Sequence, residues 1–333
     1  MSDGRQRYAR ELAVALAAVR EAAVLTRAVQ AEITPAVLEK KDKSPVTVAD
    51  WGSQALICRA LAAAFPKDPI IGEESSGELR ADGGRVLRER LVEQVGRLRP
   101  GATGDEILGW IDLGGGVDGA PRFWTLDPID GTKGFLRKEQ YAISLALVVD
   151  GRVALGVLGC PNLSSEEAGA GPGLLSHAVR GGGAFAEPMD GGQAWSIRVS
   201  ERTEPSAIRF CESVEAAHSS HSDSARVAER LAIAAEPVRL DSQAKYAEVA
   251  RGRAEAYLRL PRNAEYREKI WDHAGGVVVV EEAGGRVTDV QGRPLDFSRG
   301  RTLAGNLGVV VSNGRVHDAL LRAVDELGIG RFR

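Results

Sequence analysis

Cysteine is scarce in this sequence, and its placement excludes two classes of small, cross-linked domain. The 333 residues include three cysteines, Cys58, Cys160 and Cys211. They are far apart and form no Cys-x-x-Cys pair, so the spacing indicates neither a disulfide framework nor a zinc site. Such use of cysteine fits a reducing compartment, and we predict a cytoplasmic protein.

The sequence also lacks an excess of one charge and a long apolar run. Lys plus Arg number 43 and Asp plus Glu 46, which gives a net charge of −3. No basic block or stripe marks a nucleic-acid polymer as partner. No stretch approaches the ~18 apolar residues of a membrane-spanning helix, and charged residues interrupt any signal-type core near the N-terminus. We therefore expect a soluble protein whose partner is neither a membrane nor a nucleic acid.

The hydrophobic pattern predicts two parts. The apolar content of 44% is enough for two domains or one large one. Apolar strand-type runs dominate the first part, and Asp150-Gly151 between two of them predicts a type I′ hairpin. Helical and strand patterns alternate after about residue 204. We predict an α+β domain over residues 1–203 and an α/β domain over residues 204–333.

A short segment after a strand-like run carries the most chemistry. It places Asp127, Pro128, Asp130, Gly131 and Thr132 within six positions. Two carboxylates this close repel each other unless a cation lies between them, which favours a divalent metal held by oxygen ligands. The alternative is an acidic surface turn, because Asp-Pro and Asp-Gly are common turn dipeptides.

Other acids recur at the ends of predicted elements. Glu73-Glu74 follows a short apolar strand, and adjacent residues of an extended segment point to opposite faces. Asp50, with Thr47, is typical of a capping box that opens a helix ending before Pro66, and Asp272 is typical of a helix N-cap. Alone, each of these residues is explained by capping or by a solvated loop. Between a charged helix and Pro121 the sequence predicts only a glycine-rich loop.

Taken in order, these blocks resemble the signature of a known superfamily. They are Asp50, then Glu73-Glu74, then Asp127-Pro128-Ile129-Asp130-Gly131-Thr132, and finally Trp271-Asp272 ahead of Gly284-Gly285. The set is similar to that of the lithium-sensitive, magnesium-dependent phosphomonoesterases, which include inositol monophosphatase. The resemblance spans about residues 8 to 325 and is weakest at 101–121. It implies an α/β (α+β) fold, the layered αβαβα sandwich of inositol-monophosphatase-like proteins.

Further segments resemble the 3'(2'),5'-bisphosphate nucleotidase branch of this superfamily. They are residues 43–50, 131–137, 218–221, 241–246 and 257–261. The branch implies a phosphomonoesterase that converts adenosine 3',5'-bisphosphate to AMP and phosphate, with 3'-phosphoadenylyl sulfate as a second candidate substrate. A small nucleoside bisphosphate would then be the partner, and we expect a monomer.

The resemblance also implies roles for individual residues. Two or three Mg²⁺ ions would be held by Glu73, Asp127, Ile129 through its carbonyl, Asp130 and Asp272. Asp50, paired with the Thr132 hydroxyl, would deprotonate the attacking water, and Glu74 would support a metal-bound water. The implied substrate contacts are the N–H groups near Gly131 and Thr132, and the side chains of His218, Ser242, Lys245, Arg259 and Asp272. His221 remains an alternative to His218.

Two other functions stay open at this point. An inositol polyphosphate 1-phosphatase or an inositol monophosphatase would share the metal chemistry. A non-catalytic nucleotide or metal sensor could be built on the same fold. Asp50 and Thr132 argue against the sensor, because a protein that only binds would not need a pair that activates water.

Overall fold

The computed structural model describes residues 3–34, 44–116, 119–166, 169, 171–214 and 221–332. The helices in these ranges are α1 (Asp3–Arg7), α2 (Ala9–Ala31), α3 (Ser44–Ala64), α4 (Gly77–Arg80), α5 (Arg85–Leu98), α6 (Gly104–Asp112), α7 (Thr132–Leu136), α8 (His221–Arg230), α9 (Ala244–Ala250), α10 (Ala274–Glu282) and α11 (His317–Glu326). The strands are β1 (Ile70–Gly72), β2 (Arg122–Asp130), β3 (Ala142–Val149), β4 (Arg152–Ser164), β5 (Pro172–Val179), β6 (Ala184–Pro188), β7 (Trp195–Ser196), β8 (Phe210–Glu212), β9 (Val238–Arg239), β10 (Ala256–Arg259), β11 (Arg286–Thr288) and β12 (Val309–Ser312).

The strands form two sheets. The first contains β1 to β7 in chain order, with β1 parallel to β2 and every later pair antiparallel. The second has the order β11-β12-β10-β8-β9, and its three strands β10, β8 and β9 run parallel. Each sheet therefore contains one group of parallel strands, and the carboxyl ends of such strands share an edge.

Helices and sheets alternate in five layers. Helices α2 and α3 pack together and cover one face of the first sheet, where their apolar side chains meet those of β3 and β4. Helices α9 and α10 cover the other face and separate the two sheets. Helices α8 and α11 lie on the far side of the second sheet. The implied αβαβα sandwich is confirmed.

Most predicted elements are found. The predicted hairpin joins β3 to β4, and both turn residues have positive φ, 50° at Asp150 and 72° at Gly151, as a type I′ turn requires. The proposed capping box at Thr47 and Asp50 is wrong, because α3 already begins at Ser44. The predicted loop before Pro121 contains α6, which opens with a capping box of Thr103 and Glu106.

The predicted boundary near residue 204 falls between the last strand of the first sheet and the first strand of the second. The division into two domains at that point stays a prediction, because α9 and α10 pack against the first sheet. None of the helices found in the described residues combines the length and the apolar character needed to cross a membrane.

A buried histidine in β5 gives the fold a predicted sensitivity to acid. His177 is 2% exposed, neither ring nitrogen has a hydrogen-bond partner among the described residues, and Nε2 lies 3.6 Å from Glu187 Oε1, beyond hydrogen-bond range. Burial, with Arg5 and Arg20 nearby, lowers the pKa of His177 from 6.5 to about 4. The unfolded chain then binds the extra proton first as the pH falls below 6.5, so stability is lost between about pH 6.5 and pH 4.

We expect His177→Leu to remove this loss. At pH 5 the wild-type histidine should cost about 2 kcal/mol of unfolding free energy relative to neutral pH. Urea unfolding of both proteins at pH 7.5 and pH 5 measures the difference. An equal fall in stability for variant and wild type would contradict the role given to His177. His317, also buried with its pKa lowered to about 4, remains in both proteins as a common background.

Candidate active site

The site forms where two groups of parallel strands end. Strands β1 and β2 are in register through Ile70 and Trp124, so their carboxyl ends lie side by side. Glu73 directly follows β1, and β2 ends at Asp130. In the second sheet, β8 and β10 are also parallel, and their ends place Ser213 and Arg259 at one edge. The first pair contributes acids and the second contributes a hydroxyl and a cation.

A bulge in β2 brings Asp127 and Asp130 to the same cavity. Three residues apart on a regular strand, they would face opposite sides of the sheet. The pairing with β3 shifts by one residue between them, from Asp127 opposite Ser144 to Asp130 opposite Ala142. The extra residue restores a common direction, and Pro128 fits there because it has no N–H to donate to the ladder. The acids therefore lie within a strand, whereas the sequence placed them in a turn.

The turn comes one residue later, at Gly131. This residue has φ 88° and caps the five-residue helix α7, which begins at Thr132. A Cβ at Gly131 would lie 2.9 Å from the Cβ of Ser242, so the close approach of these two chain segments requires glycine. The backbone N–H of Gln243 donates to Asp130 Oδ2 at 2.6 Å. The N–H groups near Gly131 and Thr132 therefore lie at the N-terminus of a short helix.

The acids repel one another. Burial first, and then Glu73, Asp130, Asp272 and Asp50, raise the pKa of Asp127 well above its usual range. Glu73 is exposed to the cavity, yet loss of solvation, Asp272 and Glu74 still raise its pKa to about 8. The group holds more negative charge than its surroundings compensate.

Asp50 and Glu74 border this group from behind. Asp50 is buried in the second turn of α3, and burial, Glu74 and Glu73 raise its pKa well above the usual range. Gln54 holds the backbone of Glu74 by accepting from its N–H at 3.0 Å and donating to its carbonyl at 2.7 Å. Burial also raises the pKa of Glu74. In the described part of the chain, Asp50 and Thr132 make no hydrogen bond to each other.

Two cations face the acids. Lys245 is 2% exposed, its Nζ donates to the Leu240 carbonyl at 3.2 Å, and it lies 5.1 Å from the centre of the Tyr257 ring. Burial lowers the pKa of Lys245 to about 8. Arg259 Nη2 lies 3.0 Å from Glu268 Oε2 and 3.6 Å from Asp272 Oδ2. Arg259 thus reaches from the second sheet to Asp272, one of the clustered acids.

One compact set of possible ligand atoms already contains a cation. Glu268, Asp272 and His273 bring one ligand atom each within 4.8 Å of one another. The Arg259 guanidinium occupies that set through Glu268 and Asp272, and His273 contacts Tyr246 through Nδ1 at 2.7 Å and Glu268 through Nε2 at 3.3 Å. We interpret the set as an ion-pair network that orients Arg259 and Asp272. Asp272 is not a helix cap, because His273 holds the N-cap position of α10.

A cavity of about 300 Å³ collects these groups. Of the residues proposed from the sequence, its wall contains Glu73, Asp127, Ile129, Asp130, Gly131, Thr132, Ser242, Lys245, Arg259 and Asp272. Asp50 and Glu74 are not in that wall but lie close enough to affect its charges. His218 lies outside the described residues, as does the side chain of His221, so both assignments stay predictions.

Sequence reasoning missed several residues of the cavity wall. They are Lys133, Ser213, Asp241, Gln243, Tyr257, Tyr266 and Lys269. Tyr257 had a signal, because it lies two residues before Arg259 on β10 and alternate strand residues share a face. Gln243 lies in the segment 241–246 that resembles the nucleotidase branch, but its part in the site depends on a contact between Asp130 and the segment before α9 that the sequence does not show.

Comparison with known proteins agrees with this geometry. The 3'(2'),5'-bisphosphate nucleotidase of Emericella nidulans is 44% identical over 354 residues, which cover 98% of this chain and 99% of the relative. A protein of the same name from Oryza sativa is 46% identical over 341 residues, which cover 96% of this chain and 94% of the relative.

Solved structures are similar in fold. The IMPase of Thermotoga maritima matches with a TM-score of 0.64 and 22% identity, over 96% of this chain and 98% of its own. The inositol monophosphatase of Anabaena matches with a TM-score of 0.63 and 21% identity, over 96% and 97%. The sequence model of the inositol monophosphatase family matches residues 6–328 of this chain. This chain therefore belongs to the inositol monophosphatase family.

Proposed function

We propose that this chain is a Mg²⁺-dependent 3'(2'),5'-bisphosphate nucleotidase that hydrolyses the 3'-phosphate of adenosine 3',5'-bisphosphate to give AMP and phosphate. The observation that carries the proposal is a cavity whose wall holds four clustered acids together with a buried lysine and a half-buried arginine. The acids can hold metal ions at the reacting phosphate, and the cations can meet a second phosphate. Relatives named for this activity are similar over nearly the whole chain, which supports the same choice.

The donor set fits Mg²⁺. Its members offer only oxygen, the ligand type that Mg²⁺ prefers, and Asp127 Oδ1 is buried without a hydrogen-bond partner among the described residues. The proposed ligands are Glu73, Asp127, Asp130, Asp272 and the carbonyl of Ile129, for two or three ions. Bound Mg²⁺ would offset the carboxylate repulsion and supply the Lewis acidity that phosphate-ester hydrolysis needs.

The remaining roles concern protons and orientation. Asp50, buried behind the clustered acids, would accept the proton of the attacking water with help from the Thr132 hydroxyl. The two residues need only come together in the substrate complex, because catalytic hydrogen bonds often form there. Glu74, with its backbone held by Gln54, would orient the water from behind. The N–H groups at the start of α7 would receive phosphate oxygens.

Phosphate release tests the function directly. We expect release from adenosine 3',5'-bisphosphate only with Mg²⁺, suppression by Li⁺, and a higher kcat/KM than for inositol 1,4-bisphosphate. A preference for the inositol compound would assign the chain to the inositol polyphosphate 1-phosphatases. Nucleotide binding without phosphate release would identify a sensor.

Lys245 should bind the 5'-phosphate of the substrate, which does not react. Charge-assisted hydrogen bonds contribute about 1.5–3 kcal/mol, so Lys245→Met should raise KM for adenosine 3',5'-bisphosphate about 10- to 100-fold. Adenosine 3'-monophosphate lacks that phosphate, and its KM should change much less. Lys67→Met, at an exposed position, serves as the matched control. Equal changes for the two substrates would remove Lys245 from this role.

A further inference from the structure

Arg301 contacts the residues that directly precede two of the clustered acids, Glu73 and Asp272, although it lies in neither sheet. Its Nη2 donates to the carbonyl of Gly72 at 2.5 Å. Gly72 is the last residue of β1 and directly precedes Glu73. Its own N–H donates to the Gly114 carbonyl at 2.8 Å. Arg301 thus completes the hydrogen bonding of the residue that leads into Glu73.

The other contact of Arg301 is to the residue before Asp272. The guanidinium carbon lies 4.8 Å from the centre of the Trp271 ring, within the range of a cation–π contact. Trp271 is 5% exposed, so the ring offers a fixed surface. One planar cation therefore holds the neighbours of both Glu73 and Asp272.

The backbone fixes Arg301 itself. The N–H of Ile270 donates to the Arg301 carbonyl at 3.2 Å, and the N–H of Leu303 donates to the Glu268 carbonyl at 2.9 Å. Lys269 and Thr302 form an antiparallel bridge between these bonds. The segment that ends at Asp272 therefore lies in register along the segment that carries Arg301.

Arg301 is also unusual in its partners. Within the described part of the chain it forms no ion pair, whereas its neighbour Arg299 pairs with Asp296 through Nε at 2.8 Å. A guanidinium that meets a carbonyl and an aromatic face uses its planar shape, which lysine cannot reproduce. This pattern indicates a structural link rather than charge neutralisation.

The link opposes a repulsion. Glu73 and Asp272 are carboxylates in the wall of the same cavity, and they come from different parts of the fold, since Glu73 follows β1 and Asp272 precedes α10. Like charges would push the end of β1 away from the segment before α10. We propose that Arg301 is a positioning residue that holds the backbone next to Glu73 and Asp272, and so keeps both acids at the shared cavity before a metal ion binds. The inference rests on the proposed metal ligands but not on the identity of the substrate.

The test is Mg²⁺ binding without substrate, measured by calorimetric titration of Arg301→Gln and wild-type protein. Loss of a residue that orients metal ligands typically weakens binding 10- to 100-fold, and we expect about tenfold weaker binding here. Loss of a positive charge near an acidic site would instead tighten Mg²⁺ binding. The two explanations thus predict opposite signs, and wild-type or tighter affinity would overturn the proposal.

Two further variants complete the test. Arg301→Lys keeps the charge and loses the planar contact with Trp271, so binding should weaken by a smaller factor; unchanged affinity in this variant would also count against the proposal. Arg299→Gln removes a charge two residues away, on a side chain that is 60% exposed, and should leave Mg²⁺ affinity unchanged. In activity assays, Arg301→Gln should need more Mg²⁺ for half-maximal rate and regain a near wild-type kcat at saturation. These binding results stand even if nucleoside bisphosphates prove not to be the substrate.

Discussion

Asp127→Asn should lose hydrolysis by at least about 10³-fold in kcat/KM and yet be more stable than the wild type without Mg²⁺. Metal stabilisation of developing charge supplies several kcal/mol, and about 4 kcal/mol corresponds to this factor. The gain in stability arises because the substitution removes a buried negative charge. Asp127 is 2% exposed and surrounded by acids that raise its pKa, so its ionised form destabilises the fold. Asparagine keeps the shape and removes the charge.

The two effects are measured separately. Phosphate release gives the first, and urea unfolding in the presence of a chelator gives the second. Added Mg²⁺ should raise the urea midpoint of the wild type and have much less effect on the variant. Asp105→Asn removes an exposed carboxylate from the first turn of α6 and should alter neither activity nor the response to Mg²⁺. Near-normal hydrolysis by Asp127→Asn at saturating Mg²⁺ would exclude the proposed metal centre.

The convergence of the acids could be predicted from sequence because strand ends carry them. Glu73 follows a short apolar strand, and Asp127 and Asp130 close a longer one, so parallel pairing of the two strands brings Glu73 to the end of the strand that carries the other two acids. The resemblance supplied Asp272 and the cations of the second sheet. Each of these residues was proposed for the cavity and lies in its wall.

Other parts of the site depend on contacts that no local pattern encodes. The bulge after Asp127 is a property of pairing with β3, and the place of Gln243 depends on how α9 meets the end of β2. The error at Asp50 has a local cause, since α3 starts earlier than its cap-like residues indicated. The missed helix α6 had a signal in Thr103 and Glu106, a capping-box spacing that the surrounding glycines obscured.

Gly276→Ala should destabilise the protein by about 3 kcal/mol, at the upper end of the cost of overfilling a core. A Cβ at this position in α10 would lie 2.3 Å from Cγ of Tyr246, far inside van der Waals contact. The ring cannot move aside cheaply. Tyr246 is fully buried, its hydroxyl lies 2.7 Å from His273 Nδ1, and its ring packs edge-on against Tyr257. The helix that follows Asp272 would have to move away from the helix that carries Lys245.

Gly96→Ala is the matched control, because it makes the same change inside helix α5, where a Cβ would meet nothing within 4 Å. Replacing glycine by alanine in a helix interior is worth about 0.5–1 kcal/mol in favour of folding, so the two variants should shift urea unfolding in opposite directions. Gly276→Ala should also raise KM for the nucleotide, since Lys245 lies on one of the displaced helices and Asp272 directly precedes the N-cap residue of the other. Equal stability changes in the two variants would mean that Tyr246 yields, and that the close approach of α9 and α10 does not fix the distance between the cationic and acidic sides of the site.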